Sequence, residues 1–95
     1  MLSGKQKRFL RSMAQTQSAT FQVGKEGVTQ NMVQAIRQYM DVHELVKIKV
    51  LDNCMEDLNQ IAYDLSAGTK GDIVQIIGHT IILYHQAKKP RIILP

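Results

Sequence analysis

Apolar and polar positions alternate with two different periods along this chain, and the switches between them divide it into helices and strands. Leu2, Phe9, Leu10 and Met13 fall on one side of a helix, the S-x-x-Q box of Ser3 and Gln6 marks its start, and helix formers continue to about Gln15. A polar run then leads into Ala19-Thr20-Phe21-Gln22-Val23, a short strand with Phe21 and Val23 on one face that stops at Gly24. Thr29 is placed to cap a second helix and Val28 to pack on Val33; Met32, Val33, Ile36 and Met40 recur at helical spacing, with an end expected near Asp41. Leu45-Val46-Lys47-Ile48-Lys49-Val50 alternates strictly, so Val46, Ile48 and Val50 face one way and Lys47 and Lys49 the other. Asn53 with Glu56 predicts the cap of a third helix, carrying the stripe Cys54, Leu58, Ile61, Ala62 and Leu65 and stopping at Gly68. Two β-branched runs joined by Gly78-His79, a two-residue turn with glycine first, read as a hairpin. Beyond Gln86, Ile92-Ile93-Leu94 fits an edge strand or a loose end equally well.

The order helix, strand, helix, strand, helix, strand, strand predicts an α/β fold with a mixed four-stranded sheet. Each strand-helix-strand unit should make a right-handed crossover. With 95 residues, 44% of them hydrophobic, the chain can fill one core and not two, so residues 1–95 are expected to form one domain ending in a basic tail, residues 86–95. No apolar run approaches the roughly 20 residues that span a bilayer, and the opening residues lack the apolar stretch of a signal peptide. A lone cysteine, Cys54, cannot form an internal disulfide. A cytoplasmic protein is expected.

Charge refines this picture through its placement. The net charge is +4, but Lys5, Lys7, Arg8 and Arg11 near the start and Lys88, Lys89 and Arg91 near the end share their stretches with no acid, and all 8 acids lie between. Cationic ends of this kind attract a polyanion. Lys7, Arg8 and Arg11 also share a neighbourhood on the first helix, away from its apolar side. Between the first strand and second helix lies Gly24-Lys25-Glu26-Gly27, where glycines let backbone approach a ligand and a helix N-terminus adds partial positive charge. Such a loop suits the phosphates of a nucleic-acid backbone, with Lys25 assisting and Glu26 opposing. From spacing alone a tight turn is the commoner explanation of two such glycines, and the Gly-Lys-Ser/Thr ending of a nucleotide-binding P-loop is missing.

Four stretches together carry a family resemblance: Leu2-Ser3-Gly4-Lys5-Gln6-Lys7-Arg8-Phe9-Leu10-Arg11, Val23-Gly24-Lys25-Glu26-Gly27-Val28-Thr29, His43-Glu44-Leu45-Val46-Lys47-Ile48-Lys49-Val50, and Gly71-Asp72-Ile73-Val74-Gln75-Ile76-Ile77-Gly78-His79-Thr80-Ile81-Ile82-Leu83-Tyr84. In this order they resemble a bacterial stand-alone, YhbY-like CRM (chloroplast RNA splicing and ribosome maturation) domain. The resemblance implies a fold similar to the C-terminal domain of translation initiation factor three. It also implies RNA binding in which the glycine loop takes part, an rRNA target in the precursor of the large ribosomal subunit, and a role in ribosome assembly. Gly24, Lys25 and Gly27 match the family loop and the basic residues of the first helix its cationic opening, so the candidate RNA-binding set is Lys5, Lys7, Arg8, Arg11, Gly24, Lys25 and Gly27. Lys47 and Lys49, which leave one sheet face together, are candidates to extend it, although the solvated side of a half-buried strand is the favoured reading of them unless helices cover the other face. Glu26 is less typical of the family, and His85 stands where Arg often follows Leu-Tyr.

Other function classes find less support. Cys54, His43, His79 and His85 show no recognised catalytic or zinc-ligand spacing, so neither an enzyme nor a metal, cofactor or small-molecule site is expected. Tyr39, Tyr63 and Tyr84 form no aromatic run of the kind that stacks bases, and packing is the expected role for most of them. The first helix lacks the broad apolar face of a membrane anchor. The competing reading is a protein-interaction module whose basic surface binds an acidic partner. A monomer is expected, in the cytoplasm and in association with ribosomal particles.

Overall fold

The first helix, α1 (Gly4–Ala14), begins with a reciprocal cap: Ser3 Oγ accepts the Gln6 amide N–H at 3.1 Å and Gln6 Oε1 accepts that of Ser3 at 3.0 Å. It opens a computed structural model that describes residues 2–95. There follow β1 (Phe21–Val23), α2 (Gln30–His43), β2 (Leu45–Val50), α3 (Leu58–Thr69), β3 (Asp72–Ile77) and β4 (Thr80–Tyr84), the α/β order that the periodicities predict. The sheet runs β1-β2-β4-β3, with β1 parallel to β2 and β4 antiparallel to both its neighbours. β2 and β3 are therefore parallel with β4 between them, and both strand-helix-strand units link parallel strands.

Alternation along the strands feeds two cores. Val46, Ile48 and Val50 of β2 and Ile81 and Leu83 of β4 pack with Ile36, Met40, Ile61 and Leu65 from α2 and α3. On the other face Leu45, Ile82 and Tyr84 pack with Leu10 and Ala14 of α1 and with Ile92 of the tail. Each fully covered Ile or Leu contributes about 1.5–3 kcal/mol. One irregularity sets the faces of β3. Ile73 opposes Leu83 and Gln75 opposes Ile82, which leaves Val74 as a bulge. Simple alternation would separate Ile73 from Ile76; the extra residue lets both pack on the α2–α3 side while Val74 joins the α1 side.

Several boundaries depart from the sequence reading. The first strand spans Phe21–Val23 instead of 19–23, and α2 runs past Asp41 to His43. The third helix does not start at Asn53: Asp57 is its cap, accepting the Gln60 amide at 3.1 Å, and Cys54 packs on the core from the preceding loop. Residues 51–56 are occupied otherwise, since Leu51 and Asn53 lie against Gly24. Nor does Gly68 stop α3. A Cβ there would come within 2.9 Å of Val33 Cγ1, so glycine permits the close approach of α2 and α3, while Lys70, at φ 61°, terminates the helix. Phe9 is not on the inner side of α1 and stands 38% exposed. The tail forms no strand, yet Ala87 and Ile92 are buried and only Ile93 of the final apolar trio is largely exposed.

Candidate nucleic-acid interface

Glycine begins and ends a closed turn between β1 and α2. The Gly27 N–H donates to the Gly24 carbonyl at 2.9 Å, which leaves Lys25 and Glu26 exposed at the tip. Gly27 is buried with φ +70°, a conformation that strains any residue with a side chain, and the carboxylate of the exposed Glu56 occupies the space a Cβ would take. The turn is anchored from below, where the Leu51 N–H donates to Val23 O at 2.8 Å and continues the parallel pairing. Thr29, as expected, caps α2: its Oγ1 accepts the Met32 amide at 3.2 Å. The cap is not supplied by Glu26, and the first turn of α2 holds no acid, so the positive end of the helix dipole is uncompensated within it. Gln22, Gly24, Lys25, Glu26, Gly27, Thr29 and Met32 line an open cleft of about 320 Å³ at this point, so one acid stands beside Lys25 in its lining.

The candidate cations fall into different situations. Lys49 is exposed, and its register partners are Gln22 on β1 and Thr80 on β4, which brings it beside the cleft that Gln22 lines. Lys47 points to the same sheet face but is half-buried, and its Nζ donates to the carbonyls of Ala14 and Gln17, each at 3.2 Å. It ties the C-terminus of α1 to β2. On α1, Lys5, Arg8, Phe9 and Ser12 form the exposed face at helical spacing, while Lys7 and Arg11 flank it half-buried. An aromatic ring thus stands among the basic residues of α1, a feature obscured in the sequence because Phe9 also fits the apolar pattern.

A second constellation has no sequence signature. Glu44 ends α2 with φ 66° and ψ −48°, is fully buried, and accepts three backbone N–H groups from the tail: Ala87 at 3.1 Å, Arg91 at 2.6 Å and Ile92 at 2.8 Å. Burial pushes its carboxyl up, but those N–H groups and the charge of Arg91 outweigh burial and hold it below its ordinary value. Nearby, Tyr84 Oη is buried with no hydrogen-bond partner among the described residues, and burial, then the charges of Glu44 and Asp72, raise its phenol. Tyr39 stacks on His43 at 4.3 Å and meets Phe21 edge-on, whereas Tyr63 is exposed. Among the described residues no three His, Cys, Asp or Glu side chains group as metal ligands, and no helix is long and apolar enough to cross a membrane.

Residues 2–85 match the CRS1 / YhbY (CRM) domain, and the chain belongs to that family. It is similar to YqeI of Bacillus subtilis, named a probable RNA-binding protein, with 49% identity over 89 residues that cover 94% of this chain and 93% of that protein. A Haemophilus influenzae protein named as RNA-binding is 34% identical over 94 residues, covering 99% of this chain and 95% of its own length. The solution structure of the hypothetical protein SAV1595 from Staphylococcus aureus superposes with a TM-score of 0.83 at 42% identity and covers both chains completely.

Proposed function

We propose that this protein binds RNA, without catalysing a reaction, through the Gly24–Gly27 turn, Lys49 and the exposed basic face of α1. The observation that carries the reading is the turn itself: a glycine-closed loop displays Lys25 at the N-terminus of a helix whose first turn is free of acid. Glycine loops of this length clamp nucleic-acid backbone in other RNA-binding folds, where contacts to phosphate position the RNA and read no base. Family membership and the RNA-binding names of its relatives support the same conclusion. The target in this reading is rRNA of the precursor large ribosomal subunit, bound by a cytoplasmic monomer during subunit assembly.

Crosslinking in cells, followed by sequencing of attached RNA, tests the proposal by comparing the native protein with a Lys25→Glu, Arg8→Glu, Arg11→Glu variant of verified fold. Large-subunit rRNA captured by the native protein alone is the expected result. Equal capture by both moves the interface elsewhere, and no RNA from either favours a protein-interaction module.

A further inference from the structure

The tail residues Lys88, Lys89 and Arg91 lie in neither the proposed loop nor α1, yet they are held in a defined arrangement. Ala87, Arg91 and Ile92 all donate their N–H groups to the one buried carboxylate of Glu44, so both ends of the intervening loop are fixed to the same point. The three cations project from that loop and, with Asp41 and Val42 at the C-terminus of α2, line a cleft of about 450 Å³. Two negative charges are close by. Glu44 is completely buried and satisfied by backbone, and Asp41, itself in the lining, faces three cations, so the cleft keeps a positive balance.

This cleft and the glycine turn occupy opposite ends of α2, separated by about 20 Å at 1.5 Å per residue. The exposed positions of α2 between them are Gln30, Asn31, Gln34, Ala35, Arg37 and Gln38, with no acid before Asp41. Amide side chains and an arginine can contact sugar and phosphate along such a path. We infer that the loop of Lys88, Lys89 and Arg91 is a second phosphate-binding site, and that the outer face of α2 is the track along which one RNA reaches it from the glycine turn. The inference rests on the RNA-binding reading above. Pinning by Glu44 makes the site preorganised, so little loop entropy is lost when phosphate arrives.

The test measures binding of a fluorescently labelled rRNA stem-loop by anisotropy over a range of salt concentrations, using the full chain. Each phosphate contact contributes about 0.7–0.9 to the slope of log affinity against log salt, so a Lys88→Gln, Lys89→Gln variant should be shallower by roughly 1.5. Gln38→Glu, which puts an acid midway along the track, should weaken binding in the native tail background. Both changes are at exposed positions, and a thermal melt confirms the fold. An unchanged slope for the tail variant, with native binding intact, overturns the second site. Unchanged RNA binding accompanied by loss of polyglutamate binding overturns it in favour of an acidic protein partner. Absence of stem-loop binding by the native protein at low salt overturns the RNA reading itself, an outcome distinct from either of these.

Discussion

Replacing Glu44 probes the connection between the tail and the rest of the fold. In Glu44→Ala three backbone N–H groups lose their acceptor, and two of them belong to the buried residues Ala87 and Ile92. An unsatisfied buried donor costs about 1–3 kcal/mol, so a loss of about 3–5 kcal/mol is expected, a large share of the 5–15 kcal/mol typical of a domain. The positive φ at this position gives no relief, because alanine is equally strained there. Glu44→Gln keeps one oxygen acceptor but turns an amide donor toward the remaining N–H groups, and should cost about 2 kcal/mol. The dependence on pH is specific. The folded-state carboxyl is held below its ordinary value of 4.5, so the unfolded chain takes up this proton first as pH falls. The stabilisation is complete above that ordinary value and is lost as pH drops through the lower, folded-state pKa. Urea titrations at neutral pH and at successively lower pH measure the gap between native protein and Glu44→Gln, which should be constant near neutrality and narrow in acid. A loss below about 1 kcal/mol for Glu44→Ala, or a gap that stays constant into strong acid, would refute the argument.

The two sheet lysines should separate under mutation. Lys47→Met removes the donor to Ala14 and Gln17 and should cost about 1 kcal/mol in a urea melt while leaving the salt slope of RNA binding unchanged. Lys49→Gln should do the reverse, with stability within about 0.5 kcal/mol of native and a slope shallower by about 0.7. Gly27→Ala forces a side chain into the left-handed region and should lose about 1–2 kcal/mol in a thermal melt; the exposed Glu56 side chain can turn aside, so adding Glu56→Ala should recover little of this, and native-like melting of Gly27→Ala would contradict the geometry.

What could be read in the sequence was what local chemistry decides. The alternation of Leu45–Val50, the hairpin turn at Gly78-His79 and the caps Ser3 and Thr29 each depend on residues a few positions apart, and the structure places them as the spacing predicts. The start of α3 was ambiguous for the same reason: Asn53 with Glu56 and Asp57 with Gln60 both resemble a cap, and packing of residues 51–53 against Gly24 favours the later one. Neither the order of the tail nor the role of Glu44 was legible, because the partners lie more than forty positions apart and the donors are backbone groups common to any residue but proline. Lys47 and Lys49 look identical in the strand pattern. Only the coverage of one sheet end by α1 distinguishes the strut from the free cation.

The bulge at Val74 also bears on how this chain behaves beside its own copies. β1 and β3 are the two outer strands of the sheet, and an outer strand with a regular row of free N–H and C=O groups is a template for pairing with another molecule. β1 offers only 3 residues, and β3, with 6, has its row broken by the extra residue between Ile73 and Gln75. The irregularity that brings Ile73 and Ile76 to one core therefore also spoils the longer free edge for intermolecular pairing. Molecules crowded together on a polyanion would in this way be kept from joining their sheets.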